Sequence, residues 1–342
     1  MVDPDDTGQR VRIAVDAMGG DYAPGETVKG AVAAAREVGI EILLVGPRSE
    51  IEAELAKTDI SHLPVSLVEA SETIKDGEAP AMAVLRKRDS SIAVATRLVK
   101  EGKADAVVSA GSTGAVMVSA LQYLGALPGI DRPMAGGPFL GLAPQTIVLD
   151  LGANVGCQAY HLVNFAVAGS VFARSFLGIE NPTVGLLNVG AEEGKGNDVT
   201  KEAYPLLQKS GLNFIGNVEG MDILRGRANV IVCDGFVGNI LLKLCEGLGR
   251  TVGHWLSKEL KDSLPATDLE VVTAKLVRLM CPGEVAGGGP LWGVNGVSAV
   301  AHGNSQAPQI VGTIQQAKLA VESGFVAKLR RELEKVQQII SD

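Results

Sequence analysis

The sequence contains few aromatic residues, few cysteines and no excess of positive charge. Only 4% of its 342 residues are aromatic, and the formal net charge is −8. The phosphates of nucleic acid repel an acidic chain, so we expect no nucleic acid among its partners. Residues 1–10 are acidic and contain no apolar stretch, which is untypical of a secretory signal. We therefore expect a cytoplasmic protein.

The sequence also lacks the common signatures of metal and nucleophile chemistry. Its four cysteines, Cys157, Cys233, Cys245 and Cys281, lie too far apart for a zinc knuckle or a disulfide framework. H-E-x-x-H and G-x-S-x-G are absent, so we expect no metal and no serine triad. The neighbouring Asp234 would raise the pKa of Cys233, which favours a buried core cysteine over a nucleophile.

Charge is scarce in the middle of the chain. Residues 106–173 carry only Asp131, Arg132 and Asp150 as formal charges, and residues 106–130 carry none. That uncharged stretch is long enough to span a bilayer. It contains polar residues and glycines, however, and divides into a strand-like and a helix-like part. We therefore expect a buried strand–helix unit that a central sheet and a subunit interface cover.

Apolar runs alternate with helical patterns along the first two-thirds of the sequence. Strands are predicted at VRIAV, IEILLVG, LPVSLVEA, ADAVVSA, QTIVLDLG, PTVGLLNVG, LNFIGNV and ANVIVCDG. Helical patterns lie between most of them, and this alternation predicts an α/β fold with a mostly parallel sheet. After Asp234 the pattern turns mainly helical and is interrupted by a glycine-rich stretch at 282–297.

The predicted strands end in small polar loops. Five of these ends read DAMGGD, SAGSTGA, DLGANVG, NVGAEEGKGND and CDGFVGN. Ligands of open parallel sheets bind beyond the carboxyl ends of the strands. Since each loop combines small residues with Asp, Asn, Ser or Thr, the sequence predicts a site for a polar ligand that the backbone approaches closely.

The loop GAEEGKGN, residues 190–197, resembles a phosphate loop but does not match one. Walker A needs four residues before its Gly-Lys pair and a Ser or Thr after it. Here three residues intervene, and Gly196 follows Lys195. Lys195 is then either a flexible point charge for phosphate or a solvated lysine. No G-x-G-x-x-G motif opens a helix, so a dinucleotide site has little support.

Several other candidates each fit two interpretations. Ser112 and Thr113 begin a predicted helix, where they form an anion site or an ordinary N-cap. Asp234 binds a ligand or caps the helix that contains Asn239. His302 is a candidate general acid or base.

The segment VDAMGGD brackets Gly19 and Gly20 with Asp16 and Asp21. The glycines allow a sharp turn. The acids either orient N–H groups or neighbouring lysines and arginines, or they cap the turn and the following helix. The densest basic run, Arg86–Lys87–Arg88, is either a solvated helix end or a dock for an acidic partner.

Eight motifs together resemble one family. IAVDAMGGD, SAGSTGA, GIDRP, LDLGANV, GLLNVGAEEGKGN, FIGNVEG, VIVCDGFVGN and AHGNS occur in the order and spacing of the PlsX-type phosphate acyltransferases. The resemblance implies transfer of a long-chain fatty acyl group from acyl carrier protein to inorganic phosphate, which supplies acyl phosphate for phospholipid synthesis. It also implies a homodimer without cofactor or metal, and a three-layer α/β/α fold like that of isocitrate and isopropylmalate dehydrogenases.

The resemblance also implies roles for particular residues. Lys195 and Asn239 would be catalytic, and Arg86, Lys87 and Arg88 are the hypothesis for carrier docking. Ser112 stands where the family commonly has Asn, so its assignment is weaker. The implied substrate-binding residues are Asp16, Gly19, Gly20, Ser112, Thr113, Asn154, Asn188, Asn197, Asp234 and His302.

The resemblance extends from Val11 to Leu333, and no linker composition divides this range. We therefore expect a single intertwined domain over 11–333, with C-terminal helices. Residues 1–10 and 334–342 would be flexible or peripheral ends, and 255–281 would form a protruding helical hairpin.

The sequence of residues 255–280 predicts two amphipathic helices that turn at Pro265, with Thr267 at an N-cap position. Leucines recur at four-residue spacing from Leu256 to Leu264, and lysines and arginines accompany them. Such helices lie on an anionic membrane surface, or they pack on the core or on the other subunit. On the first interpretation, the protein would pass its product to a membrane glycerol-3-phosphate acyltransferase.

Three rival functions remain open at this point. A CoA-dependent phosphotransacetylase would use a small acyl-CoA, and a membrane scaffold for lipid synthesis would catalyse nothing. A decarboxylating dehydrogenase would need metal-binding carboxylates and a nucleotide site, and the sequence shows neither.

Overall fold

The structure, a computed structural model, describes residues 10–75, 77–138, 140–280 and 287–341. The chain forms two compact units. Unit 1 comprises Met1–Gly125, Gly287–Pro290 and Val294–Glu322, and unit 2 comprises Ala126–Ala286, Leu291–Gly293 and Ser323–Asp342. The chain thus crosses between the units several times, which is why no linker marks a boundary in the sequence.

Unit 1 contains a six-stranded sheet in the order β10-β11-β4-β1-β2-β3, in which only the pairing of β10 with β11 is antiparallel. Its elements are β1 (Arg12–Asp16), α1 (Gly25–Val38), β2 (Glu41–Gly46), α2 (Arg48–Leu55), β3 (Val65–Glu69), α3 (Pro80–Arg86), α4 (Ser91–Lys100), β4 (Ala106–Ser109), α5 (Thr113–Tyr123), β10 (Gly288–Pro290), β11 (Val297–Ala301) and α11 (Ala307–Glu322).

The central strands of unit 1 are covered on both faces. All four residues of β4 are buried, although their side chains alternate between the two faces of the sheet. Helix α1 packs against α11, and α4 packs against α5, so two separate helix pairs enclose the sheet.

Unit 2 contains a five-stranded sheet in the order β5-β6-β9-β7-β8, in which only the pairing of β5 with β6 is antiparallel. Its elements are β5 (Gly136–Pro138), β6 (Ile147–Leu149), α6 (Ala159–Phe176), β7 (Thr183–Leu187), α7 (Asp198–Lys209), β8 (Asn213–Val218), α8 (Gly220–Arg225), β9 (Val230–Val232), α9 (Gly235–Leu260), α10 (Ala266–Met280) and α12 (Phe325–Ser341).

The central helix of unit 2 is α6, which the sequence marks as nearly uncharged. Its residues from Leu162 to Ala173 are all buried. Contacts with β6, β7 and β9 cover it, as do contacts with α7 and α12. Leu241, Leu242 and Cys245 of α9 pack against buried residues of the sheet that include Val148 and Ile231. The chain therefore covers its own uncharged helix.

Helices α9 and α10 pack against each other. The hydroxyl oxygens of Ser257 and Thr273 lie 3.0 Å apart, and Leu269 is 8% exposed. Helix α9 begins at Gly235, directly after Asp234 as predicted, and continues to Leu260, so the first helix of the predicted hairpin is its C-terminal end. Thr267 lies inside α10 rather than at its N-cap. Residue 281, the predicted end of the hairpin, lies outside the described residues.

The α/β class, the mostly parallel sheets and all eight predicted strands are confirmed. The chain is mainly helical after Asp234, as predicted, but β11, which lies parallel to β4 within the sheet of unit 1, was not among the predicted strands. The short run VSAVA has no helical or alternating signature of its own, and pairing with β4 makes it a strand.

Two further segments bear on the predictions. Helix α12 continues to Ser341 and buries Val336, so residues 334–341 belong to a helix that packs through one face. Residues 1–9 and 342 lie outside the described residues. No helix in the described ranges is long and apolar enough to cross a membrane. The uncharged stretch 106–130 instead forms the buried strand β4 and helix α5, as predicted.

Candidate functional site

The loop that follows β6 in unit 2 is built around a buried carboxylate. Asp150 has no solvent exposure. One of its oxygens accepts from the backbone N–H groups of Gly152, Ala153 and Asn154, at 2.7, 2.6 and 3.1 Å. The other accepts from the Ala135 N–H at 3.1 Å and from the Asn154 side-chain amide at 2.9 Å. Five N–H donors thus fix the shape of this loop.

Asn154, a predicted substrate-binding residue, is also buried. Its amide nitrogen donates to the Pro133 carbonyl at 2.9 Å as well as to Asp150. Its side-chain oxygen is buried and has no hydrogen-bond partner within the described residues. Asn154 therefore acts on the loop through Asp150 and Pro133.

The start of α9 packs directly on this loop because glycines allow a close approach. The Gly235 N–H donates to the Asn154 carbonyl at 2.8 Å. A Cβ atom at Gly238 would lie 1.8 Å from the Asp150 carbonyl oxygen, and one at Gly152 would lie 3.2 Å from the Asn239 side-chain oxygen. Asn239 is exposed beside the Gly152 backbone.

Lys195 lies in the loop between β7 and α7, and asparagines shape that loop. The Asn188 side-chain amide donates to the Lys195 carbonyl at 3.0 Å, and the buried Asn217 amide donates to the Glu192 carbonyl at 2.7 Å. Gly196 has a left-handed φ of 102° that favours glycine. The Lys195 side chain is exposed.

Three predicted substrate-binding residues are helix N-caps. The side-chain oxygens of Ser112, Asn197 and Asp234 accept from the backbone N–H groups of Ala115, Thr200 and Val237, at 3.3, 3.0 and 3.0 Å. Such a bond satisfies one of the free donors at the start of a helix. The structure thus favours the capping interpretation of Ser112 and Asp234 that the sequence left open.

The predicted residues of unit 1 form a second polar cluster. Asp16 is 3% exposed and accepts from the Ser109 hydroxyl at 2.6 Å and from the Met18 N–H at 3.2 Å. Burial raises the pKa of Asp16, although the hydrogen bonds from Ser109 and Ser91 act to lower it. Because both carboxylate oxygens of Asp16 accept hydrogen bonds, this side chain stabilises the conformation of the turn.

The glycines of this turn leave no room for, or strain against, a larger side chain. A Cβ at Gly19 would lie 2.6 Å from the Gly111 nitrogen and 2.8 Å from an Asp16 oxygen. Gly20 has a left-handed φ of 107°. The Asp21 N–H donates to the Gly303 carbonyl at 2.8 Å, which ties the turn to the loop that holds His302. The side chains of Thr113 and His302 are exposed.

Only some of the predicted polar side chains remain available to a ligand. Among the described residues, the Lys195 ammonium and the Asn239 amide make no hydrogen bond or ion pair, whereas Asn154, Asn188, Asn197 and Asp234 hold the backbone in place. All six belong to unit 2. They follow β6, β7 and β9, which are neighbours in its sheet, so they share the carboxyl edge.

Neither cysteine near this edge is suited to nucleophilic attack. Burial raises the pKa of Cys157 to about 11, and the carboxylates Asp150 and Asp234 add to the effect. Burial raises the pKa of Cys233 further still. Both thiols therefore stay protonated at neutral pH.

A polar pair that was not predicted from the sequence lies beside this edge. The Gln158 N–H donates to Nδ1 of His161 at 2.8 Å, so Nε2 carries the proton toward Asp131, 3.0 Å away. Burial opposes the ionisation of Asp131, but hydrogen bonds from His161 and Tyr160 outweigh it and lower the pKa of Asp131. Asp131 and His161 lie 30 positions apart in the chain, so no local pattern predicts their contact. The GIDRP motif, which contains Asp131, is the one related signal in the sequence.

The basic run in unit 1 is only partly free for docking. Lys87 lies 2.6 Å from a Glu78 carboxylate oxygen and donates to the Thr73 carbonyl at 2.9 Å. Arg86 and Arg88 are exposed. The carrier-docking hypothesis stays a prediction, and within this run Lys87 is the residue whose charge an ion pair with Glu78 engages.

Within the described ranges, no three His, Cys, Asp or Glu side chains cluster in a way that could hold a metal ion.

Sequence comparison places the chain in a known family. The profile of the family described as "Fatty acid synthesis protein" matches residues 11–328. A "Phosphate acyltransferase" from Desulfitobacterium hafniense is 48% identical over 334 residues, which cover 94% of this chain and 98% of that protein. The "Phosphate acyltransferase" from Geobacter sulfurreducens is 45% identical over 327 residues, covering 95% of this chain and 94% of that protein. The chain belongs to the phosphate acyltransferase family.

The membership makes the chain an acyltransferase and confirms the resemblance seen in the sequence. Solved structures agree on the fold. The "EutD phosphotransacetylase from Staphylococcus aureus" matches with a TM-score of 0.59 at 19% identity, over 92% of this chain and 95% of that one. A phosphotransacetylase from Streptococcus pyogenes matches with a TM-score of 0.56, at the same identity and coverage. At this identity the likeness concerns the fold alone.

Proposed function

We propose that this acyltransferase moves a long-chain fatty acyl group from acyl carrier protein to inorganic phosphate, to supply acyl phosphate for phospholipid synthesis. A phosphate oxygen forms a bond to the thioester carbonyl carbon, the carbon–sulfur bond breaks, and the carrier thiolate leaves and takes up a proton. The observation that carries the proposal is the exposed, unpaired Lys195 and Asn239 at one sheet edge of a chain whose relatives are named phosphate acyltransferases.

The proposed mechanism needs no covalent intermediate. A thioester is already activated, so the site has to hold phosphate beside it and stabilise the developing oxyanion. In this proposal the Lys195 ammonium pairs with phosphate, and the Asn239 amide donates to phosphate or to the oxyanion. The raised pKa values of Cys157 and Cys233 support direct attack by phosphate over an acyl-cysteine route.

The central experiment follows product formation in two variants. Lys195→Ala and Asn239→Ala should each lower kcat by about a hundredfold, the usual cost of one lost oxyanion or anion donor. Palmitoyl-ACP and phosphate are the substrates, and hydroxylamine traps the acyl phosphate as a hydroxamate. Lys209→Ala, an exposed lysine at the far end of α7, is the matched control. Near-normal product from both site variants would reject the assignment.

The same assay separates the rival functions. A CoA-dependent phosphotransacetylase would form product from a small acyl-CoA and little from palmitoyl-ACP. A scaffold without activity would form no hydroxamate above background from any donor.

For carrier docking, the structure favours Arg86 and Arg88 over Lys87. We therefore propose that these two arginines attract the acidic carrier. Charge reversal at both should raise the KM for palmitoyl-ACP and weaken its dependence on ionic strength, since salt screens such attraction. Lys87→Ala is the comparison. An unchanged KM in the double variant would remove this surface.

We also propose a homodimer that lies peripherally on the membrane and passes acyl phosphate to a membrane glycerol-3-phosphate acyltransferase. The support is the helix pair α9–α10 with the turn between them, where Trp255, Leu264, Val271 and Val272 are at least one-third exposed. Leu269, by contrast, is buried, so the predicted leucine repeat serves partly to pack the pair.

The membrane proposal has a direct test. Val271→Glu together with Leu264→Glu should abolish sedimentation with anionic vesicles and leave the sedimentation coefficient of the free protein unchanged. Leu269→Ser is the comparison, since it should lower thermal stability through lost packing. Vesicle binding that survives in the double variant would refute the assignment of this surface.

A further inference from the structure

The GIDRP segment, residues 129–133, is fixed beside the loop that follows β6. The Gly129 carbonyl accepts from the Asn164 side-chain amide of α6 at 3.1 Å, and the Pro133 carbonyl accepts from the buried Asn154 amide at 2.9 Å. Hydrogen bonds at both ends therefore hold the segment in place in unit 2. None of its side chains has a part in the proposed mechanism.

Within this segment Asp131 has hydrogen-bond partners, whereas Arg132 has none among the described residues. One Asp131 oxygen lies 3.0 Å from Nε2 of His161, and the other accepts from the Tyr160 hydroxyl at 3.0 Å. Arg132 is exposed, and no carboxylate in the described ranges forms an ion pair with its guanidinium. Because His161 and Tyr160 hold the neighbouring carboxylate, the Arg132 charge remains available to an anion.

The Arg132 charge lies near the point at which the loop after β6 meets α9. Burial raises the pKa of the Cys157 thiol to about 11, and the positive charge of Arg132 acts in the opposite direction. That thiol lies 3.3 Å from the Asn154 carbonyl oxygen, which also accepts from the Gly235 N–H at 2.8 Å. Asn239 follows one turn later in α9. Arg132 and Asn239 thus lie beside the same loop.

The proposed chemistry calls for a second positive charge at this loop. The reactive form of phosphate is the dianion, whereas Lys195 supplies a single positive charge and the Asn239 amide supplies none. A guanidinium stays charged at neutral pH, and its planar fork can donate to two phosphate oxygens at once. We propose that Arg132 binds the acceptor phosphate through both arms of its guanidinium. The inference rests on the proposed function and adds a phosphate-binding residue to it.

A second phosphate group takes part in the reaction, in the phosphopantetheine arm of the carrier. Its phosphodiester has the same kind of oxygens, but the whole pantetheine chain separates it from the thioester. Arg132 lies beside the loop that Asn239 borders, where the proposed mechanism places the thioester carbonyl. The position of Arg132 therefore favours the acceptor phosphate over the phosphodiester.

Steady-state kinetics of three variants test the assignment. Arg132→Ala should raise the KM for phosphate roughly ten- to hundredfold, the usual effect of losing hydrogen bonds to a charged group. The KM for palmitoyl-ACP should not change. Arg132→Lys keeps the charge but not the fork, so it should recover only part of the loss. Arg331→Ala, which removes an exposed arginine of α12, is the matched control.

The kinetic outcomes separate the two phosphate sources. An unchanged KM for phosphate in Arg132→Ala would overturn the inference. A rise in the KM for palmitoyl-ACP alone would overturn it as well, because Arg132 would then bind the phosphodiester of the carrier.

Chemical labelling of the wild-type protein tests the site without turnover and without a variant. Phenylglyoxal modifies exposed arginines, and mass spectrometry gives the rate at each of them. Saturating inorganic phosphate should slow the modification of Arg132 but not that of Arg331, and holo carrier protein without an acyl group should slow neither. Protection by phosphate would support the anion site even if every donor failed to give acyl phosphate, which would reject the proposed function alone. Equal rates at Arg132 with and without phosphate would overturn the inference.

Discussion

Replacing Asp150 with Asn is expected to destabilise unit 2 strongly, although the two side chains have the same shape. The Asp150 carboxylate has no exposure and accepts from five N–H groups. An Asn side chain keeps one accepting oxygen and presents an NH2 group in place of the other. In the better of its two orientations it still accepts from Gly152, Ala153 and Asn154, but it faces the Ala135 N–H and the Asn154 amide with donors.

The expected cost follows from those two lost bonds. Each buried donor without an acceptor costs about 1–3 kcal/mol, so two cost about 4 kcal/mol. For a domain of this size, 1 kcal/mol shifts Tm by about 2–4 °C, so the expected fall is about 10 °C. Since native domains are stable by only about 5–15 kcal/mol, the variant should still fold at room temperature.

Asp16→Asn provides the matched control. Asp16 is also buried, but two of its partners are the hydroxyls of Ser109 and Ser91. A hydroxyl can rotate and accept from an amide, whereas a backbone N–H cannot. We therefore expect Asp16→Asn to shift Tm by a few degrees at most.

Differential scanning calorimetry of both variants at neutral pH checks this comparison. A fall of less than about 3 °C for Asp150→Asn, or equal falls for the two variants, would show that the five donors do not determine the stability of the loop.

Three further predictions follow from single contacts. Asn197→Ala removes the acceptor for the Thr200 N–H at the start of α7, so the free energy of unfolding should fall by about 1 kcal/mol in urea titrations; no change would mean that another group caps the helix. Since the pKa of Cys157 is about 11, iodoacetamide at pH 7 should leave acyltransferase activity intact, and Cys157→Ser should match the wild type; rapid inactivation that this variant abolishes would contradict the direct-attack route. Burial raises the pKa of Asp16 in the folded protein, so that state binds more protons, and wild-type stability relative to Asp16→Asn should increase as pH falls from 7 toward the unfolded pKa; a difference independent of pH would show that Asp16 is not perturbed.

Much of the fold could be predicted because its signals are local. Strands such as β1 and β4 are short apolar runs that end in glycine or a small polar residue, and helices with clear periodicity separate them. Strand β11 could not be predicted in this way, because its five small residues become a strand only by pairing with β4. The start of α9 was predicted from Asp234 as a possible cap, whereas the close packing that requires glycine at 235 and 238 could not be predicted.

The candidate site was likewise only partly predictable from the sequence. The loops at the strand ends, the glycines and the exposed Lys195 and Asn239 are visible in the sequence, because residue type and position after a strand suffice to select them. The use of each polar side chain is not visible. Ser112, Asn197 and Asp234 cap helices, and these assignments depend on hydrogen-bond geometry.

The sequence by itself determined the α/β class, the family and the set of polar loops, because these depend on periodicity and on the order of motifs along the chain. The tertiary structure decided which of those polar side chains hydrogen-bond to the backbone and which are exposed to solvent. Asp150 shows the reason: its five partners come from Ala135 and from the segment 152–154, which only the pairing of β5 with β6 brings around one carboxylate. Contacts of that kind depend on where the folded chain meets itself, and no local pattern records them.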